Sequence, residues 1–199
     1  GVAQSQELLA VGVNMNLAPV ADLETNPDTP VIYRRSYGSD PRIVAPTLSA
    51  VIQGMQDTGV VATLKHFPGH GDTNEDSHIE LPILPFDQST LEALELVPFR
   101  AGIQAGAEVI MVAHLSLPAI DPVPGRPSSL SPPIVTGLLR EELGFEGIIM
   151  TDALDMDAID TEYNLPNASI LAIQAGVDLL ATGPHIGLNT TAAAIDAVV

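Results

Sequence analysis

The sequence contains no cysteine, which excludes a disulfide framework and every metal site that depends on cysteine ligands. It is also poor in basic residues, with seven Lys and Arg against 25 Asp and Glu and a formal net charge of −18. This deficit argues against binding to nucleic acid or to an anionic membrane surface, because both require clustered basic side chains. No apolar stretch approaches the roughly 18 residues of a membrane-spanning helix.

With 199 residues, of which 46% are hydrophobic, the chain is long enough for one domain with a substantial core. The acidic residues are scattered along the chain, which is typical of a solvated surface. The chain starts at Gly1 without a methionine, and residues 4–10 have the pattern of a helix interior. We therefore expect a fragment or a processed piece of a longer protein.

Five short apolar runs, each followed by a helical pattern, predict five β-strands. The runs are continuous rather than alternating, as expected for parallel strands that are covered on both faces. They span residues 13–20, 60–64, 108–113, 147–150 and 177–181. Intervening helices are predicted to begin at Asp40-Pro41 and at Ser131-Pro132 and to end near Gly59 and Gly144. Pro98 interrupts a third helical pattern and predicts a break or two short helices.

This alternation predicts an α/β fold, either a doubly wound sheet or a (β/α)8 barrel of the TIM type. A Gly-x-Gly-x-x-Gly turn, which would support the nucleotide-binding version of the doubly wound sheet, does not occur. Polar residues follow three of the apolar runs directly: Lys65 with His66, then His114, then Thr151 with Asp152. The carboxyl ends of the strands form the catalytic face of a barrel, so this placement favours the barrel.

The loop at residues 65–78 is unusually rich in titratable groups, with three histidines, one lysine and three acids. Within it, Asp76 stands two residues before His78, close enough to hydrogen-bond the imidazole. An adjacent carboxylate stabilises the imidazolium form, which makes His78 a candidate proton donor near neutral pH. The alternative for such a pair in isolation is two unrelated surface side chains.

Asp152 follows a buried strand and has two interpretations, a helix N-cap or a nucleophile at the mouth of a barrel. Asp155 and Asp157 are competing carboxylates in the same segment, and we rank them lower because they lie farther from the strand end. His114 and Asp22 could be hydrogen-bonded core residues or functional ones, and the sequence leaves both possibilities open.

Arg34 and Arg35 concentrate two of the seven basic residues before a turn. They could pair with neighbouring acids, or they could bind hydroxyl or carboxylate groups of a ligand, for which the guanidinium is well suited.

Five segments occur in an order that closely resembles glycoside hydrolase family 3, in particular its bacterial β-N-acetylhexosaminidase branch. The resemblance extends from about Val11 to Ala181. Its segments are residues 17–22, 35–37, 65–71, 76–78 and 147–154. The Lys-His loop followed by Asp-Ser-His distinguishes this branch from the β-glucosidases of the same family.

The resemblance implies a retaining double displacement on a terminal β-N-acetylglucosamine residue. Asp152 would attack the anomeric carbon to form a glycosyl-enzyme. His78 would protonate the leaving oxygen and then activate water, and Asp76 would orient and stabilise His78.

The resemblance also implies that Arg35, Lys65 and His66 hydrogen-bond the sugar next to the scissile bond, and that no metal or cofactor takes part. The expected partner is a carbohydrate, an N-acetylglucosamine-containing glycan or a muropeptide, and the sequence does not decide between them.

Finally, the resemblance implies that five of the eight strands of a barrel are present, so we expect residues 1–199 to be a partial N-terminal catalytic domain. Two other functions stay open. One is an inactive or sugar-binding piece of a barrel. The other is a metallohydrolase that uses histidines and aspartates of the loop at residues 65–78, which would leave Asp152 and Lys65 unexplained.

Overall fold

The computed structural model describes residues 1–26, 32–71, 73, 81–84, 86–184 and 186–199. Within them, five parallel strands form one sheet. The strands are β1 (Met15–Asn16), β2 (Val61–Phe67), β3 (Val109–Val112), β4 (Ile148–Ala153) and β5 (Leu179–Ala181). Their order in the sheet is their order in the chain, whereas a doubly wound sheet reverses direction at a switch point. The predicted α/β fold, with five successive strands of a (β/α)8-type barrel, is confirmed.

Helices cover the sheet between successive strands. The α-helices are α1 (Val2–Ala10), α2 (Pro41–Gln56), α3 (Gln88–Ala93), α4 (Leu96–Gln104), α5 (Asp157–Ala175) and α6 (Leu188–Val198). A π-helix spans Pro133–Glu142, and two 3₁₀-helices span Tyr33–Arg35 and Ser128–Leu130. In the described part of the chain, no helix combines the length and the apolar character that crossing a bilayer requires.

Helix boundaries follow from capping and from proline. The Asp40 side chain accepts a hydrogen bond from the Arg42 amide at 2.9 Å, and Pro41 occupies the first helical position of α2. The predicted break in the third helical pattern falls between α3 and α4. Pro98 is the third residue of α4, where a missing amide hydrogen leaves no helical hydrogen bond unmade. The prediction of two short helices is therefore confirmed.

The first strand and the start of the helix after Ser131 differ from the prediction. The first strand is limited to β1, with one further isolated bridge between Val20 and Lys65, because Pro19 interrupts the run and cannot donate to a ladder. Ser131 does not cap the next helix with its side chain. Its hydroxyl donates instead to Asp121 Oδ2 at 2.6 Å, and the helix that follows is π-helical from Pro133.

The sheet is apolar on both faces. Alternate strand residues such as Ile110 and Val112 are fully buried in the main core. The intervening residues form a second apolar cluster, which comprises Val109, Met111 and Met150 with Met15, Val61 and Ala181 packed against them. Because successive side chains of a strand point to opposite faces, this second cluster lies on the face that lines the inside of a barrel.

Candidate active site

Three segments that contain candidate catalytic or binding side chains meet at the carboxyl edge of the sheet. Lys65 and His66 belong to the last residues of β2, which continues to Phe67 rather than ending at Leu64 as predicted, and the Lys65–His66 peptide bond is cis. His114 follows β3 by two residues, and Asp152 is the fifth of the six residues of β4. Because the strands are parallel and adjacent, these side chains are brought to one edge.

Asp22 is the centre of a buried hydrogen-bond network at this edge. It is 0% exposed, and its carboxylate accepts hydrogen bonds from the amides of His66 at 3.1 Å and His70 at 2.8 Å. Asp22 Oδ2 also lies 2.6 Å from His66 Nδ1. Burial alone would raise the pKa of Asp22, but the two histidines lower it below 3.8. Asp22 is therefore a carboxylate at neutral pH, and the sequence had left its role open.

Arg35 reaches this network from the segment after β1. Its Nη2 lies 3.4 Å from His66 Nε2, so one histidine ring joins the buried carboxylate to an exposed arginine. Arg34 lies over the ring of Tyr33, with its guanidinium carbon 5.3 Å from the ring centroid. The structure thus brings together Arg35 and His66, two of the predicted sugar-binding residues.

His70 is the second histidine that borders Asp22. It is 2% exposed, and its Nδ1 lies 2.8 Å from Thr73 Oγ1. Burial lowers the pKa of His70, with Asp22 acting in the opposite direction, so the ring is neutral near pH 7. The ring meets that of His66 edge-on, with centroids 6.2 Å apart.

Asp152 lies partly buried in β4 and is not a helix cap, because α5 begins only at Asp157. The helix-cap interpretation is therefore wrong. Its Oδ1 accepts a hydrogen bond from the Ala153 amide at 2.8 Å. Burial would raise the pKa of Asp152, but His66, His114, the Ala153 amide and Lys65 together lower it below 3.8. The carboxylate is consequently ionised at neutral pH, as a nucleophile must be.

Lys65 adds a basic side chain to the same edge, near Arg35. Burial and the neighbouring Arg35 lower its pKa, while Asp152 and Asp22 act to raise it. Lys65 thus interacts electrostatically with both carboxylates of the site.

His114 is fully buried, with polar partners at both ring nitrogens. Nδ1 lies 2.7 Å from Ser129 Oγ, and Nε2 lies 3.0 Å from the carbonyl oxygen of Ala153, the residue after Asp152. His114 is thus observed as a hydrogen-bonded core residue, the first of its two possible roles. Its contact with Ala153 holds the end of β4. Sequence reasoning missed Ser129, whose only signal is the serine pair at residues 128–129.

Asp155, one of the two competing carboxylates, accepts a hydrogen bond from the Gly183 amide at 2.5 Å. It ties the segment after β4 to the turn after β5. Asp157 is the first residue of α5. Asp76 and His78, the predicted catalytic dyad, lie outside the described residues.

Metal binding has no support in the described part of the chain, where no three His, Cys, Asp or Glu residues are grouped to hold a metal ion. The metallohydrolase hypothesis also draws on Asp72, Asp76 and His78, which lie outside that part.

Comparison with known proteins identifies the family of the chain. Residues 1–197 match the family described as glycosyl hydrolase family 3 N terminal domain. Beta-hexosaminidase A of Pseudoalteromonas piscicida is 40% identical over 187 residues, which are 89% of this chain and 31% of that protein. Beta-hexosaminidase of Stenotrophomonas maltophilia (strain K279a) is 39% identical over 176 residues, 88% of this chain and 51% of that protein.

A solved structure is also similar, that of a glycoside hydrolase family 3 beta-N-acetylglucosaminidase from Paenibacillus sp. str. FPU-7. It superposes with a TM-score of 0.93 at 44% identity and covers 98% of this chain and 36% of that one. The chain thus spans about half or less of the length of these relatives.

Proposed function

This chain belongs to the glycosyl hydrolase family 3 N-terminal domain family, and we propose that it carries the active site of a retaining β-N-acetylglucosaminidase. The observation that carries the proposal is Asp152. It is a partly buried carboxylate at the carboxyl end of a barrel strand, kept ionised by the cationic and hydrogen-bonding groups around it. We further propose that residues 1–199 are part of the catalytic barrel domain of the natural protein.

In the first step, a carboxylate oxygen of Asp152 bonds to the anomeric carbon while the glycosidic C–O bond breaks. The leaving oxygen receives a proton from His78, and a covalent glycosyl-aspartate forms. In the second step, His78 takes a proton from water, whose oxygen displaces Asp152 from the same carbon. Two displacements at one carbon retain its configuration.

Two of the other histidines, His66 and His114, are poorly placed for proton transfer. His66 has Asp22 and Arg35 at its two ring nitrogens, and His114 has Ser129 and Ala153. A ring that is engaged at both nitrogens is poorly suited to exchange a proton with substrate. The short spacing of Asp76 and His78, together with the family resemblance, makes this pair the acid/base in our proposal.

Sugar binding is assigned directly to Arg35 and Lys65, and to His66 through its contact with the Arg35 guanidinium. Arg35 is exposed and Lys65 is partly buried, and both carry donors suited to sugar hydroxyl and amide oxygens. Lys65 also lies within electrostatic reach of Asp152, which is consistent with a position beside the reacting carbon.

The test is covalent trapping in the natural full-length protein with a fluorinated N-acetylglucosamine donor, such as a 5-fluoro glycosyl fluoride. We expect one glycosyl group per chain, on the peptide that contains Asp152. The Asp155→Asn variant is the matched control and should still be labelled, because its carboxylate serves a loop contact. A label on any other carboxylate would exclude Asp152 as nucleophile. Binding of the sugar with no label and no turnover would instead favour a sugar-binding protein.

A further inference from the structure

We propose that Asp22 is a positioning residue that fixes His66 in one tautomer, so that a lone pair at Nε2 faces the Arg35 guanidinium. The role extends the proposed function, and it rests on that function only in assigning Arg35 to the substrate. The hydrogen-bond geometry itself is independent of any activity.

The tautomer follows from what the two neighbours of His66 can do. An ionised carboxylate only accepts hydrogen bonds, and a guanidinium only donates them. His66 Nδ1 lies 2.6 Å from Asp22 Oδ2, so Nδ1 carries the hydrogen. His66 Nε2 lies 3.4 Å from Arg35 Nη2, so Nε2 must present its lone pair. The opposite tautomer would set two N–H groups against each other at Nε2.

Asp22 is held firmly enough to impose this choice. Its carboxylate is fully buried, and it also accepts the amide hydrogens of His66 and His70. The pKa of Asp22 lies below 3.8, so at neutral pH the carboxylate is ionised and can only accept the hydrogen bond from His66. Hydrogen bonds from backbone amides fix the position of the carboxylate independently of the imidazole.

The backbone of the same residue anchors the segment that carries the arginine. Ser36 is the residue after Arg35, and its Oγ donates a hydrogen bond to the carbonyl oxygen of Asp22 at 2.7 Å. Asp22 therefore orients Arg35 from two directions, through Ser36 at the backbone and through His66 at the guanidinium.

The Asp22→Asn substitution changes the side-chain contact with His66 and leaves the backbone contact with Ser36 in place. The amide oxygen can replace Oδ1 and accept the same two backbone hydrogens, but the NH₂ group then takes the place of Oδ2. Because NH₂ donates, it favours a lone pair at His66 Nδ1 and a hydrogen at Nε2. The same logic explains why an Asp→Asn change next to a catalytic histidine selects the wrong tautomer in serine proteases.

The deciding experiment is ¹⁵N NMR of the histidine side chains in the natural full-length protein, near neutral pH and without substrate. We expect the hydrogen of the neutral His66 ring to lie on Nδ1, and Asp22→Asn to move it to Nε2. Asp155→Asn, the same chemical change at another loop carboxylate, should leave the His66 resonances unchanged. Protonation of wild-type His66 at Nε2 would overturn the proposal, and this measurement needs no variant to fold.

A kinetic experiment tests the connection to Arg35. We expect Asp22→Asn to lower kcat/KM roughly 10- to 100-fold, the order expected for weakening a contact to a charged group. In an Arg35→Lys background, Asp22→Asn should lower kcat/KM by less than about 2-fold. The reason is that the guanidinium, which His66 is proposed to orient, is already absent. Fully additive losses would overturn the role. If the protein hydrolyses no glycoside, the NMR measurement still decides the tautomer, so the two failures are distinguishable.

Discussion

His66 and His114 are two buried histidines near the carboxyl ends of neighbouring strands, with His66 inside β2 and His114 two residues after β3. Their surroundings are opposite in kind. His66 lies between a buried carboxylate and an exposed arginine, so its ring connects the core to the open edge. His114 lies between a serine hydroxyl and a backbone carbonyl, so its ring connects one part of the scaffold to another.

The two rings also differ in where the hydrogen sits. The Ala153 carbonyl only accepts, so His114 carries its hydrogen on Nε2, and in the neutral ring Nδ1 accepts from Ser129. His66 carries its hydrogen on Nδ1. A position near the carboxyl end of a strand therefore indicates that a residue is near the site, while its partners decide whether it serves the ligand or the scaffold.

The largest effect that we predict concerns His78, the residue to which we assign proton transfer. We expect His78→Ala to slow hydrolysis of substrates with basic leaving groups by about 10²- to 10⁴-fold, because acid assistance matters most when the departing oxygen is basic. Activated aryl glycosides should lose far less. The measurement is kcat/KM for a series of aryl and alkyl N-acetylglucosaminides with leaving groups of different basicity.

His114→Gln is the matched control for that series. It should lower the rate through displacement of the end of β4, and by a similar factor for every leaving group. Equal losses across the series for His78→Ala would remove His78 from the acid role. A steep dependence on leaving group in His114→Gln would contradict the scaffold role of His114.

The next prediction concerns the scaffold side of the comparison. Ser129→Ala removes the hydroxyl that hydrogen-bonds His114 Nδ1 in a buried site, and we expect a loss of about 1–3 kcal/mol in the free energy of unfolding. A smaller loss of activity should accompany it, because His114 contacts the residue after Asp152. Urea unfolding and kcat/KM measured on the same preparations check both effects.

Ser49→Ala gives a comparison outside the site, since the Ser49 hydroxyl bonds backbone carbonyls at Ala45 and Ala101 in the helical layer. It should cost less stability because Ser49 is only partly buried, and it should leave kcat/KM unchanged. If Ser129→Ala altered neither stability nor activity, the hydrogen bond to His114 would have no scaffold function.

Much of this arrangement could be predicted from local sequence patterns. Continuous apolar runs gave the parallel strands, and the polar residues that follow them indicated the edge where Lys65, His66 and Asp152 meet. Pro98 predicted the division between α3 and α4. Each of these predictions depends on residues that are close in sequence, where periodicity and backbone chemistry act directly.

The partners of the polar residues could not be predicted in the same way. Asp22 and His66 are 44 residues apart, and His114 and Ala153 are 39 apart. No local pattern says which of several acids or carbonyls a buried ring will meet, because the tertiary packing decides it. A helix after Ser131 was predicted and is observed, but neither its π-helical form nor the long-range contact of the Ser131 hydroxyl with Asp121 was predicted.

The smallest effect we predict is in the pH dependence of stability. It comes from the charge of Asp22, the buried carboxylate that contacts His66. Folding lowers the pKa of Asp22 below 3.8, so its ionised form stabilises the fold. That contribution is fully present above the unfolded pKa and is lost as the pH falls through the lower, folded pKa. Because one proton is involved, the free energy of unfolding changes by at most about 1.4 kcal/mol per pH unit from this group.

We therefore expect the gap in unfolding free energy between the wild type and Asp22→Asn to be constant near neutral pH and to shrink in the acid range, below roughly pH 4. The reason is that a protonated Asp22, like asparagine, no longer offers a charged acceptor to His66. Leu23→Ala, a change at the adjacent buried residue that involves no charge, should show a gap that does not depend on pH. Urea unfolding from roughly pH 3 to 7 measures all three proteins. An Asp22→Asn gap as flat as that of Leu23→Ala would mean that the carboxylate contributes by shape and hydrogen bonding alone, and that His66 and Arg35 are held without its charge.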